Sequence, residues 1–221
     1  MKYLAPSILS ADFAILGEQI KQVKMAGCDR LHFDIMDGMF VPSISFGMPV
    51  LKCVRKATDL ILDVHMMVVD PIRYIQDVRD YGADIISVHP EACAGEDEAM
   101  ACLDKISVLG AGVAIAFSPD TPVSDIVPYL PKVEEVVLMS VYPGFGGQSF
   151  IEDSHNKIKE LAALRESMGL DFKIEIDGGV NLNNAAQILD DGADILVAGS
   201  AVFNGSVCDN TARFLDIVRN K

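Results

Sequence analysis

The chain has 221 residues, half of them hydrophobic, with a mean hydropathy of +0.29 and a formal charge of −14. That length suits one large domain with a full core, and no apolar run reaches the roughly 18–20 residues of a membrane span. The acidic balance argues against nucleic acid and anionic membrane as partners, but not against a small anionic ligand wherever local geometry supplies positive potential.

The N-terminus, MKYLAPSILSAD, lacks the long apolar stretch and cleavage pattern of a secretory signal, so none is expected. APSIL reads as the first strand. Phe13, Leu16, Ile20 and Val23 then fall on one face at spacings of three and four, which predicts a helix closed by Gly27. RLHFDI and LILDVHM are the second and third strands. Asp70-Pro71 predicts an N-cap with proline at the first helical position, ahead of an apolar stripe of Ile72, Ile75 and Val78 and a closing Gly82. DIISVH, GVAIAF and EVVLMSV follow as strands four to six. A helical pattern with His155 near its start ends at Gly169, before FKIEID, the seventh strand. Asn181 is placed to cap LNNAAQILDD, which Gly192 closes ahead of the last strand, DILVAG.

These strands are mostly continuous apolar runs rather than alternating ones, as in a parallel sheet covered by helices. AGCDRLHFD, YGADIISVH, LGAGVAIAF and DGADILVAG repeat one grammar of helix-ending Gly, polar step and apolar strand. Eight strand–helix units spaced about 27 residues apart predict an α/β fold, a single (β/α)8 TIM barrel over residues 1–221. The open doubly wound alternative wants G-x-G-x-x-G after strand one, which PSILSADF lacks. Cys28, Cys53, Cys93, Cys102 and Cys208 are odd in number, scattered and never spaced CxxC, which predicts free thiols in a reducing cytoplasm.

In such a barrel the chemistry gathers at the C-terminal strand ends. Strand two ends in His32 and Asp34, strand three in His65, strand four in His89 and strand seven in Asp177. His32 and Asp34, two residues apart, share a face. With His65 and Asp177 they offer two nitrogens and two oxygens, a set suited to Zn, Mn, Fe or Co and too nitrogen-rich for Ca or Mg. Taken singly, each His would read as a hydrogen-bonded core residue and each Asp as a loop cap; four at matching strand ends read as a site. His89, in HPEA, reads equally well as satisfying its own loop, and Asp37, followed by Gly38, as a turn former. Gly144, Gly146, Gly147, Gly178, Gly179 and Gly199 cluster after strands six to eight, where barrels bind phosphate on bare backbone N–H groups. VYPGFGGQSF, DGGVN and GSAVF hold no Lys or Arg, so the expected positive potential there comes from N–H dipoles. Met36, Met67 and Met139 read either as gap-filling core residues or as a polarisable wall capping an anionic intermediate.

SILSADF, HFDIMDGMFVP, HMMV, HPEA, SVYPGFGGQSF, DGGVN and GSAVF, in this order and across nearly the whole chain, resemble the ribulose-phosphate 3-epimerase family. The resemblance implies a (β/α)8 barrel that interconverts D-ribulose 5-phosphate and D-xylulose 5-phosphate in the pentose phosphate pathway. It implies one divalent metal ion on His32, Asp34, His65 and Asp177, with Asp34 and Asp177 as the proton-transfer pair working through an enediolate. Ser7 and His65 are then expected against the sugar, and Gly144, Phe145, Gly146, Gly147, Gly178, Gly179, Gly199 and Ser200 around its phosphate. Members form homo-oligomers from dimer to hexamer, so a homo-oligomer is expected here. Met39 and Ser43 stand where members often carry His and Asn; this bears on closure of that loop and removes no expected ligand or acid–base residue. The relative acting on allulose 6-phosphate tends to lack the full GFGGQ and DGG pattern and ranks second. An aldolase or decarboxylase usually recruits a Lys, and Lys173 stands at the wrong end of strand seven. A sugar-phosphate-binding protein without turnover fits less well with the intact Asp pair.

Overall fold

The computed structural model describes residues 1–221. Its strands are β1 (Tyr3–Pro6), β2 (Arg30–Met36), β3 (Ile61–Met67), β4 (Ile85–Val88), β5 (Gly112–Phe117), β6 (Glu135–Met139), β7 (Lys173–Asp177) and β8 (Ile195–Ala198). All pair in parallel, in the order β1-β8-β7-β6-β5-β4-β3-β2, and a parallel bridge between Ser7 and His32 joins the two edges. The helices between and after them are α1 (Leu16–Met25), α2 (Met48–Ala57), α3 (Ile75–Asp80), α4 (Glu96–Val108), α5 (Val123–Ile126), α6 (Ser154–Met168), α7 (Ala185–Asp190), α8 (Ser200–Phe203) and α9 (Val207–Arg219). This is the expected (β/α)8 barrel.

Successive strand residues face opposite sides of the sheet. Leu31, Phe33 and Ile35 of β2, Leu62, Val64 and Met66 of β3, and Ile174 and Ile176 of β7 join the helix faces in a core of 53 buried residues. The other rows form small separate groups: Ala116, Val137, Met139 and Val141; Ala5, Ile195 and Val197; Met36, Val41 and Met67. Alongside these groups stand buried charged and polar side chains: Arg30, His32, Asp34, Asp63, His65, Glu135 and Glu175. At the strand starts Arg30 donates both Nη atoms to Glu135, at 3.1 and 3.2 Å, with its guanidinium 5.1 Å from the Tyr3 ring centroid. Lys173 Nζ lies 3.6 Å from the same carboxylate.

Several local expectations shift. β1 ends earlier than APSIL suggests because Ser7 leaves the strand to cap a 3-10 turn over Ile8–Ser10, accepting from the Leu9 N–H at 3.3 Å. Ile20 and Val23 are buried on α1 as predicted, but Phe13 precedes the helix and packs on Phe46, ring centroids 5.1 Å apart. Asp70 makes no side-chain cap. The following proline disfavours right-handed helical backbone for it, and it takes φ 53° before a 3-10 turn over Pro71–Arg73, so that α3 begins only at Ile75. Asn181 accepts from the Asn183 N–H at 2.9 Å in a preceding turn, and Asn184 occupies the N-cap of α7. Gly27, Gly82 and Gly192 follow α1, α3 and α7 at φ 94°, 113° and 121°, the positive values that closing a helix there requires. All five cysteines are free, and no helix is long and apolar enough to cross a membrane.

Candidate active site

At the C-terminal ends of the strands lies a cavity of about 450 Å³. β2 presents His32 and Asp34 on one face, parallel pairing sets His65 beside Asp34, and β7 brings Asp177 beside Met139. His32 Nε2 lies 3.3 Å from Asp34 Oδ1, 3.4 Å from His65 Nδ1 and 3.6 Å from Asp177 Oδ2. His65 Nδ1 is 3.5 Å and 3.4 Å from the same two carboxylate oxygens. One donor atom from each of the four residues thus lies within 4.8 Å of all the others. Two imidazole nitrogens and two carboxylate oxygens at this spacing, with no Lys or Arg among them, fit a single divalent transition metal ion.

The electrostatics agree with a site built to hold positive charge. Burial alone would raise the Asp34 carboxyl, but the adjoining His32 and His65 rings override it and hold Asp34 far below the usual carboxylate range. Burial likewise opposes charge on His32, yet Asp34, Asp63 and Glu175 raise its ring well above the ordinary histidine value. Ser7 Oγ donates to Asp34 Oδ2 at 2.6 Å, which fixes that carboxylate from its far side.

Behind each histidine stands a group that orients it. Asp63 Oδ2 and Glu175 Oε1 lie 3.2 and 3.1 Å from His32 Nδ1. With the ring neutral, Nδ1–H donates to Asp63 Oδ2 and the Nε2 lone pair faces the cavity. Glu175 is wholly buried, and neither of its oxygens has a hydrogen-bond partner. Burial and the Asp63 charge push it well above the carboxyl range, making it the neutral member of that pair. His65 Nε2 is 2.8 Å from His89 Nε2, and His89 Nδ1 is 3.3 Å from Glu91 Oε2. Glu91 Oε1 accepts from the Ser118 N–H at 2.8 Å and the Thr121 hydroxyl at 2.6 Å. Against its burial, His89 and these two donors pull the Glu91 carboxyl down to about 2. The chain sets the tautomers: His89 gives its Nδ1 proton to Glu91, accepts from His65 Nε2–H, and leaves His65 Nδ1 free to ligate.

Met36, Met67 and Met139 are buried and line the cavity. Gly144, Phe145, Gly146, Gly147, Gly178, Gly179, Gly199 and Ser200 line it as well. Gly179 has φ 67°, and a Cβ there would come 2.3 Å from the Phe150 backbone nitrogen. Asp37 does shape its turn: Oδ1 accepts from the Met39 and Phe40 N–H groups and Oδ2 from the Val69 N–H.

The model of the Ribulose-phosphate 3 epimerase family matches residues 3–203. The chain belongs to the ribulose-phosphate 3-epimerase family. It is 48% identical to the chloroplastic ribulose-5-phosphate-3-epimerase of Arabidopsis thaliana over 200 residues, 90% of this chain and 71% of the relative. Identity to the ribulose-phosphate 3-epimerase of Synechocystis is 46% over 217 residues, covering 98% and 93% of the two chains. For the Bacillus subtilis enzyme it is 46% over 204 residues, covering 92% and 93%. The chain is accordingly an isomerase acting on carbohydrates. Among solved structures, 3-keto-L-gulonate-6-phosphate decarboxylase from Vibrio cholerae superposes with a TM-score of 0.75 over 100% of this chain and 99% of that one, at 14% identity. At that identity the likeness shows the fold alone.

Sequence reasoning missed several groups around this cavity. Asp63 and Glu175 carried a signal, since each stands two residues before a proposed ligand on the same strand face. Glu91 lies within HPEA, yet its role depends on Ser118 and Thr121, distant in the chain. Asn204, Asn210 and Arg213 also line the cavity; they lie beyond GSAVF, where no spacing rule reaches.

Proposed function

We propose that this chain epimerises C3 of a ketopentose phosphate, interconverting D-ribulose 5-phosphate and D-xylulose 5-phosphate. His32, Asp34, His65 and Asp177 would hold one divalent ion, and Asp34 and Asp177 would move the protons. One observation carries the reading: carboxylates from β2 and β7 meet in a single cluster of donors within 4.8 Å of one another, in a cavity also lined by glycine backbone. Bound there, Zn, Mn, Fe or Co supplies Lewis-acid stabilisation of the charge that develops on the sugar oxygens, on the order of several kcal/mol.

The C3 hydrogen is acidic because it adjoins the C2 carbonyl. One aspartate takes it as base, leaving a flat enediolate. The other returns a proton from the opposite face, which inverts the centre. The roles exchange with the direction of reaction, so the two titrations belong to the pair. Ser7 and His65 orient the sugar. The three methionine side chains cover the enediolate without offering an acidic proton that would quench it on the wrong face. The phosphate rests on backbone N–H groups of Gly144, Phe145, Gly146, Gly147, Gly178, Gly179, Gly199 and Ser200, and its binding far from C3 orients the reacting carbon. No lysine lines the cavity, which disfavours Schiff-base chemistry. A homo-oligomer in a reducing cytoplasm accompanies the reading.

The test is an assay of chelated and reconstituted protein on D-ribulose 5-phosphate and D-allulose 6-phosphate. Chelation should abolish turnover, one equivalent of Zn, Mn, Fe or Co should restore it, and the pentose should have the larger kcat/KM. Full turnover in demetallated protein would overturn the metal assignment, and a larger kcat/KM for the hexose would overturn the substrate.

A further inference from the structure

Among the residues lining the cavity, Arg213 is the only cation; the only other charged side chains are Asp34 and Asp177, which belong to the donor cluster. Arg213 sits on α9, outside the glycine segments. Its position is secured from one turn earlier, where Asn210 Nδ2 donates to the carbonyls of Val202 at 3.1 Å and Asn204 at 2.8 Å. Those bonds tie α9 to the segment that begins at Gly199, and residues three apart share a helix face. Arg213 is exposed, and it is not among the arginines committed to carboxylates, which are Arg30, Arg55, Arg73 and Arg165.

An uncommitted guanidinium on this cavity has an electrostatic purpose. A phosphomonoester carries about −1.5 to −2 charges at neutral pH. The glycine N–H groups offer only partial charges. A chain of net charge −14 repels the ligand. Arg is suited to close the balance, since its planar fork meets two phosphate oxygens at once.

We propose that Arg213 recognises the phosphomonoester end of the substrate and is the residue that separates phosphorylated from free ketopentose. The inference rests on the proposed epimerase reading, which places the carbonyl end of the sugar at Asp34 and Asp177. It assigns the charged part of phosphate recognition to α9, while the glycine backbone shapes the remainder.

The experiment compares wild type, R213Q and R213K by steady-state kinetics on D-ribulose 5-phosphate and on unphosphorylated D-ribulose, with inorganic phosphate as a competitive probe. R213Q should raise KM for the phosphate ester about tenfold, the scale of a charge-assisted hydrogen bond, and weaken inhibition by inorganic phosphate by a similar factor. Its kcat should fall by much less, and the preference for the phosphorylated over the free sugar should drop about tenfold. R213K, which keeps the charge without the fork, should fall between. If R213Q keeps the wild-type preference and phosphate inhibition, Arg213 is not the phosphate-recognising residue, and the epimerase reading still stands. If wild type itself fails to exchange the C3 hydrogen, the epimerase reading fails and takes this inference with it.

Discussion

Asp34→Asn and Asp177→Asn should each slow interconversion of the two C3 epimers by about 10²–10⁴-fold, the usual range for losing a general acid or base. Asparagine keeps the shape of the side chain but cannot take up a proton at these pH values. Because each turnover needs one proton removed and one returned from the opposite face, both single variants should fall by similar factors. The double variant should be little slower than either, since the two carboxylates act as a unit. The fold should persist. In the first variant the new amide oxygen can still accept from the Ser7 hydroxyl, which in the wild type meets Asp34 Oδ2 at 2.6 Å, and Asp177 is only partly buried. NMR of the conversion of one C3 epimer into the other reads the inversion directly. Near-wild-type inversion in either variant would remove that aspartate from the mechanism.

Arg30→Met tests the other end of the barrel, where stability rather than chemistry is at stake. Arg30 and Glu135 are 3% and 2% exposed and share two hydrogen bonds. Removing the guanidinium leaves a buried carboxylate with only the more distant Lys173 at 3.6 Å. The expected loss is about 3–5 kcal/mol, a fall in Tm on the order of 10 °C for a chain of this size. R30M/E135Q should recover most of it, because no charge is then stranded. The pH dependence has a definite sign. Burial and the neighbouring Asp63 already push Glu135 upward despite Arg30. Without Arg30, its folded-state pKa rises further above the unfolded value. The penalty is therefore smallest at low pH, where Glu135 is protonated in both states, and grows as pH rises through the unfolded pKa towards the folded one. Thermal denaturation followed by circular dichroism checks this. A single variant as stable as wild type would show that the ion pair is not holding the barrel together.

The barrel was legible in the sequence because strand–helix units recur eight times, four of the strands sharing one grammar of helix-ending glycine, polar step and apolar run, and tertiary packing follows that order. The pairing of His32 with Asp34 was legible because a strand repeats every two residues. The bringing of His65 and Asp177 to the same point needed the barrel as an intermediate. Local capping was less legible. Asp70 occupies the expected N-cap position ahead of Pro71, but of a 3-10 turn, with φ 53° and no side-chain cap. Phe13 fell on the helical period of α1, yet its ring is claimed by Phe46 across a loop. His89 stayed ambiguous because its partners are His65 on one side and Glu91 on the other, and only the three-dimensional arrangement links them. Arg213 could not be read at all, since what places it in the cavity is how α9 packs after Asn204, and no motif encodes that.

The claim on which everything rests is that His32, Asp34, His65 and Asp177 share one ion beside the reacting carbon. Crystals of zinc-loaded protein, measured at the metal absorption edge, test it most directly. The prediction is a single anomalous peak about 2.0–2.2 Å from His32 Nε2, His65 Nδ1 and one oxygen of each aspartate. An ion bound elsewhere, with these four side chains left free in protein that still turns over, would contradict it.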